Sequence, residues 1–408
     1  MIGRKLREKL RAFGRTLIGR DLTFWAFTAA LCVWIGQLVL LTSFFASAIY
    51  EAPVFNQRFF GRLLCLAVAL GEAGRIARGE YSGRDAIAIA LAFLACRGFY
   101  LHQDWSMFYS TIAIFGARGL PLRKILWPAL ITVSSIALFV MACSQVGIIP
   151  DILLDHGRSR PRHCLGFLYT LYPAQYVLNC TLMLCFLLDR KVRIPHALGL
   201  LAASGAMYYL TSSKLTAFLG ACVTAAFLAR ALCAERKVGF DKGYALLSWA
   251  IPITIGITIV ASVTYVACTD VAPEVGKLLK KATEGRLRLQ VRGLASLGVR
   301  PFGQVVQWVG NGLDASGVSH AKEGYNYVDN LYLHSLIQHG IIYTASLVTL
   351  ATMRVRKAFQ EGSTALVIVF AAVAFQAMFD DLPLCLNYCT MWLALAELFP
   401  KMQEDKSL

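Results

Sequence analysis

Apolar residues in this chain gather in long unbroken runs, not in the narrow periodic stripes of soluble helices. Residues 22–49 and 245–268 each read as a single membrane span. Further runs lie at 125–149, 165–188, 214–233, 331–352 and 363–379, with weaker ones at 59–76, 85–101, 105–115, 195–211 and 384–399. The pattern predicts an all-α, polytopic integral membrane protein with about twelve transmembrane helices. Polar residues collect between the runs: in a basic start, in a short segment at 151–164, and in one long loop at 269–330. That loop ends in Val328-Asp329-Asn330-Leu331-Tyr332-Leu333-His334, so polar groups crowd the point where a span begins.

Five regions follow. Residues 1–20 carry Ile2, Leu6, Leu10, Phe13 and Leu17 at helical spacing among Arg and Lys, which reads as an amphipathic cytoplasmic interfacial helix and not as a signal peptide. Residues 21–268 hold the first nine spans, 269–330 the large extracytoplasmic loop, 331–400 the last three spans, and 401–408 a cytoplasmic tail.

Composition agrees with this division: 57% of the 408 residues are apolar and 16% charged, against roughly 45–50% and roughly 25% in soluble domains. The charge of +16 orients the helices. With the N-terminus cytoplasmic, every short inner loop is basic and the inner segments hold most of the 40 Lys and Arg residues. Both termini then lie on the cytoplasmic side of a plasma (inner) membrane. Basic residues scattered over many loops suit contact with anionic membrane lipid and speak against a nucleic-acid partner. The 12 cysteines form no C-x-x-C pair and no metal-ligand spacing. No P-loop, dinucleotide fingerprint or nucleophile-elbow motif is present, so the sequence implies neither metal nor cofactor.

Two outer segments depart from the positive-inside pattern. Arg158, Arg160 and Arg162 alternate along 151–164, and an extended chain would set them on one side. Guanidinium forks match phosphate oxygens; the plainer reading is a solvated loop paired with Asp151 and Asp155. In 273–297, Lys277, Lys281, Arg288 and Arg292 fall within about 60° on one helical wheel, with Gly285 as a point of division into two shorter helices. These cations read either as the polar face of a helix resting on headgroups or as a basic wall above a cavity. The remainder of the loop mixes glycines with His320, Glu323, Tyr325, Asn326 and Tyr327, groups suited to sugar rings. Lys214 lies in a tight outward turn, where it either snorkels or meets an anion.

Four features resemble the Wzy-type polysaccharide polymerases, in the clan that includes the O-antigen ligases. They are the long loop closed by Asp329-Asn330-Leu331-Tyr332-Leu333 and Gly340; Arg162 followed by Leu165-Gly166-Phe167; Ser212-Ser213-Lys214; and Gly285-Arg286 followed by Pro301-Phe302-Gly303. The resemblance implies a metal-independent membrane glycosyltransferase. It would polymerise undecaprenyl-diphosphate-linked repeat units at the extracytoplasmic face, beside a flippase and a chain-length regulator. It implies that Arg162, Arg286 and Arg288 bind the diphosphate, with Arg158, Arg160, Arg292 and Lys214 in support. Asp329 is the first candidate for the base, with His320 and Glu323 in reserve, while Asn330 and Tyr332 hold sugar or shape the motif. Lys214 stands where the family has Arg, and Tyr172-Pro173-Ala174 where members have His-Pro-Asn. Asp329-Asn330 in place of His-Asn tilts the reading from ligase to polymerase. Two alternatives stay open: ligase-like transfer to another acceptor, and transport of a lipid-linked sugar. Asp329 also has a rival reading as a helix N-cap.

Overall fold

The computed structural model describes residues 20–51, 57–154, 161–234, 241–283, 285–321 and 324–399. The expected interfacial helix up to residue 19 and the expected tail lie outside these, as do Arg158, Arg160 and Glu323. The described residues are mostly helical, with one two-stranded pairing. In chain order come α1 (Arg20–Leu41), α2 (Ala46–Glu51), α3 (Gln57–Arg78), α4 (Gly83–Leu101), α5 (Trp105–Gly116) and α6 (Leu122–Gln145). Strands β1 (Leu153–Leu154) and β2 (Arg162–His163) follow, then α7 (Tyr172–Leu188), α8 (Ile194–Thr211), α9 (Lys214–Ala234), α10 (Asp241–Leu247) and α11 (Ala250–Val271). The chain ends with α12 (Pro273–Ala282), α13 (Arg286–Leu297), α14 (Leu331–Gln338), α15 (Gly340–Gln360) and α16 (Thr364–Ala377). Two 3₁₀ segments, Leu382–Leu384 and Thr390–Leu398, complete it.

Among the described residues, four helices are long and apolar enough to cross a membrane: Asp21–Leu41, Leu122–Gln145, Lys214–Leu232 and Ala250–Cys268. The last has a mean hydropathy of 1.9, yet only 17% of its window is buried inside the protein. Ile253, Ile257, Val260 and Val263 face outward along it. A helix apolar on every side needs a non-aqueous surrounding. Inside, α1 buries Phe27, Leu31, Trp34, Ile35 and Leu38, a single face at helical spacing. It packs on α3 and α6, and α6 packs on α7. Across the fold, α16 packs on α9, α11 and α15.

Several long runs are not the single helices their hydropathy predicts. The run at 22–49 breaks after Leu41, where Thr42 and Ser43 donate their hydroxyls to the carbonyls of Val39 and Leu40, at 2.7 Å each. The backbone then pairs Ser43 with Phe167. The run at 245–268 breaks between α10 and α11, where Ser248 bonds the Ala245 carbonyl at 2.6 Å and receives Arg356 at 2.8 Å. The run at 331–352 breaks at Gly340, whose φ of +88° no ordinary residue adopts without strain. A Cβ there would meet the Gly303 nitrogen at 2.2 Å. Ile341 and Ile342 donate to the carbonyls of Arg300 and Pro301, so the long loop docks into the helix break. The run at 384–399 winds as 3₁₀ turns, with the amide of Thr390 bonded to Asn179 and the carbonyls of Tyr388 and Ala394 taken by Gln175 and Arg354. Nine residues at about 2.0 Å each cannot cross a core of about 30 Å.

Gly285, with φ +82°, divides α12 from α13, so the four cations at 277–292 do not form one continuous wall.

Candidate functional site

A cavity of about 710 Å³ opens where element ends converge: the turn that follows α8, the first residues of α9 and α13, the end of α16, and the approach to α14. Arg162, Lys214, Arg286, Asp329 and Asp380 are its charged lining. Tyr169, Tyr325, Asn311 and Thr283 add hydroxyl and amide groups, while Phe218, Leu289, Phe375 and Phe379 add apolar surface.

Each cation is positioned by local structure. Strand β2 pairs antiparallel with β1, setting Arg162 opposite Leu154. The buried Arg162 donates Nε to the carbonyl of Thr211 at 2.6 Å, capping the end of α8. Ser212, at φ +54°, reverses the chain so that Lys214 opens α9. Gly285 does the same for Arg286 at the start of α13. Arg286 donates Nη1 to the carbonyl of Phe379 and stands 3.7 Å from Asp329 through Nε. Lys214 and Arg286 are thus the first residues of their helices. Helix N-termini carry partial positive charge and repel cations, so both residues sit where an anion, not a cation, is favoured.

Asp329 is half-buried, and the helix-capping role belongs to its neighbour. Asn330 accepts from the Leu333 amide at 3.0 Å and donates to the Met378 carbonyl at 2.9 Å. Asp329 is left facing the cavity, with Tyr325 beside it in the lining. Burial raises its carboxyl above the ordinary range, and Arg286, His334 and Tyr325 pull it only partly back.

The acid pair Asp380–Asp381, which the motifs did not single out, closes the floor. Asp380 lines the cavity, receiving Gln376 Nε2 and the Leu382 amide at 3.2 Å each. Asp381 accepts from Tyr327 at 2.7 Å, behind which Trp308 stacks on His334 at 4.7 Å. Burial raises both carboxyls; the charge of Asp381 pushes Asp380 further, and that of Asp329 pushes Asp381. The signal was present in the sequence: two acids end an apolar run at the same proposed face as Lys214 and Asp329.

Other expected site residues lie elsewhere. Arg288 and Arg292 are exposed and do not line the cavity. Residues 286 and 288 are about 200° apart on a helix, so only one of them can face it. His320 is exposed and pairs with Asp314 at 3.0 Å, inside a turn that Asp314 organises through Ser316 and Val318. Asn330 is fully buried, with both ends of its amide used. Tyr332 is buried against Thr254, at 2.7 Å, and the Ala374 carbonyl. Asn330 and Tyr332 therefore hold the helix ends together and do not reach the cavity.

No family model, curated protein or solved structure matches this chain.

Proposed function

We propose that the protein is a membrane glycosyltransferase that joins lipid-diphosphate-linked oligosaccharide repeat units, with the cavity as its active site. The observation that carries this reading is the convergence of Arg162, Lys214 and Arg286 with two helix N-termini on a roomy cavity. Such a site suits an anion larger than a single carboxylate. The aromatic, hydroxyl and amide lining suits sugar.

The chemistry follows from the charges. The anomeric carbon–oxygen bond of the donor breaks, and the electron pair leaves with the lipid diphosphate. Preorganised cations stabilise the charge that builds there. The acceptor hydroxyl oxygen forms the new glycosidic bond, and its proton passes to Asp329. Burial makes that carboxylate a stronger base than an exposed one. Asp380, its pKa raised by burial and by Asp381, sets less negative charge opposite the diphosphate than two fully ionised acids would.

We infer a multi-pass orientation with the cavity extracytoplasmic and both termini cytoplasmic. It is supported by Arg190, Lys191 and Arg193, which precede α8, and by Arg230 near the end of α9, the ends of those two helices that lie away from the cavity. Between the two ends Trp34, Ile35, Leu126, Leu178 and Leu182 are almost fully buried, and the buried amides of Gln175 and Asn179 are spent on the backbone of residues 387–390. That favours chemistry at one face over passage through the protein.

Purified protein in liposomes supplied with lipid-diphosphate-linked repeat units should lengthen the glycan in whole units, freeing one lipid diphosphate per bond. Transfer only onto a different lipid acceptor would replace this reading with ligation. Unchanged substrate on the far side of the bilayer would replace it with transport.

A further inference from the structure

We propose that the apolar groove between α9 and α16 seats the hydrocarbon chain of the lipid-linked substrate, a long isoprenoid whose diphosphate occupies the cationic cavity. The inference rests on the reading of that cavity and adds the path of the lipid. The groove has a volume of about 480 Å³ and is walled by Leu219, Cys222 and Ala226 of α9 and by Ile368, Ala371 and Ala372 of α16. Alanines at facing positions leave the space that larger side chains would fill.

Continuity with the charged site identifies the occupant. Phe218 and Phe375 line both the groove and the cavity, their ring centroids 6.4 Å apart. They are 57% and 38% exposed, so two aromatic faces stand open at the junction of a polar chamber and an apolar channel. One amphipathic ligand, anionic at one end and hydrocarbon at the other, fits both parts.

At its far end the groove reaches Arg230, which is bonded to Asp189. From Phe218 to Arg230 along α9 is roughly 18 Å, a little over half of a bilayer core of about 30 Å. The groove therefore holds the first part of a long chain and leaves the rest in the membrane. Lipid tails are as apolar as leucine, so the seat contributes orientation and shape in place of hydrophobic drive. A second apolar groove, walled by Leu91, Ala95, Tyr343, Leu347 and Leu395, runs to Arg118 and shares no lining residue with the cationic cavity. The cavity it meets at Arg118 has arginines that already hold carboxylates, so it offers a poorer head site for a lipid diphosphate.

The test uses purified full-length protein, a long polyprenyl diphosphate and the short, water-soluble geranyl diphosphate. Ala226→Trp and Ala372→Trp fill the groove and should lower the long-to-short affinity ratio about tenfold. Leu138→Trp, on the exposed face of α6, should leave the ratio unchanged. Because a filled groove can disturb folding, wild-type protein is also labelled with a photoreactive isoprenoid diphosphate, and the adduct should map to α9 and α16. Adducts elsewhere, or an unchanged ratio in folded variants, would overturn the groove while leaving the cavity reading intact. Equal labelling by the uncharged prenol would overturn the link between groove and cavity. Failure of both diphosphates to bind would remove the cavity reading and this inference with it.

Discussion

Two charged regions lie toward opposite ends of α1, one beside its start and one beyond Thr42, whose carbonyl takes the amide of Leu168 next to Tyr169 of the cavity, and they are built on opposite principles. At one end Arg118 meets Glu72 at 2.8 Å and Asp85 at 3.2 Å, and Arg75 meets Asp85 at 2.7 Å. Tyr81 donates to Glu72, and Ser82 donates backbone and side chain to Asp85. Two cations face two anions, Arg118 and Asp85 are almost fully buried, and the charges are spent on one another. A cavity of about 610 Å³ lies beside them, but its arginines already hold carboxylates. At the other end, Arg162, Lys214 and Arg286 face Asp329 and a buried acid, Asp380, of raised pKa. Among the described residues, Arg286 and Asp329 there stand a loose 3.7 Å apart. The first region resembles a clasp that ties α3, α4 and α5 together. In the second, among the described residues, Lys214 pairs with no carboxylate and Arg286 pairs only loosely, both beside open space. Number of charges does not separate structure from function here; the balance of those charges does.

The comparison makes graded predictions. Removing one partner of a matched, buried cluster leaves the others uncompensated, so Arg118→Ala should cost about 3–5 kcal/mol of stability. Thermal unfolding in detergent would measure it, with turnover per folded molecule unchanged. Arg286→Ala should do the reverse, lowering turnover about 10²–10³-fold with little change in unfolding. Arg286→Lys should recover only part, because an ammonium has no fork to offer. If both variants lose stability equally, the two regions are the same kind of structure and the comparison breaks.

Asp329→Asn should lower turnover about a hundredfold. It should also remove the acid limb of the pH profile. As a base Asp329 must be ionised, so wild-type activity should fall as pH drops through its raised pKa. Stability moves the other way: the folded carboxyl binds its proton more tightly than the unfolded one, so ionising it costs stability as pH rises. The Asn variant should therefore unfold at a higher temperature than wild type at pH 8 and show no gain at pH 3. Full activity of Asp329→Asn would remove the residue from the mechanism. The smallest effect belongs to Arg288→Ala. Arg288 is exposed on the far side of α13, and its loss should change stability by no more than about 0.5 kcal/mol and leave turnover alone.

Much of the site was legible in the sequence, for a physical reason. Cations that break the positive-inside pattern need another cause, and Arg162, Lys214 and Arg286 meet in one cavity. What periodicity could not show was which way a side chain turns after an unusual backbone angle. Gly285 shifts the phase of the helix, so Arg286 faces inward and Arg288 outward. Asn330, one residue beyond Asp329, takes the cap, a choice set by the extended backbone at φ −160°. The helix breaks at Ser43, Ser248 and Gly340 were hidden because apolar runs continue through them. Those breaks are made by hydroxyl bonds to backbone carbonyls and by distant segments docking on them.

The claim that matters most is that the cations of the cavity hold a lipid diphosphate. Its direct test is the affinity of purified protein for a polyprenyl diphosphate and for the matching uncharged prenol, measured across salt concentration in wild type and Arg286→Ala. The account predicts strong preference for the diphosphate in wild type, weakening as salt rises, with most of that preference gone in the variant. Equal affinity for diphosphate and prenol, or a preference that Arg286→Ala leaves intact, would contradict it.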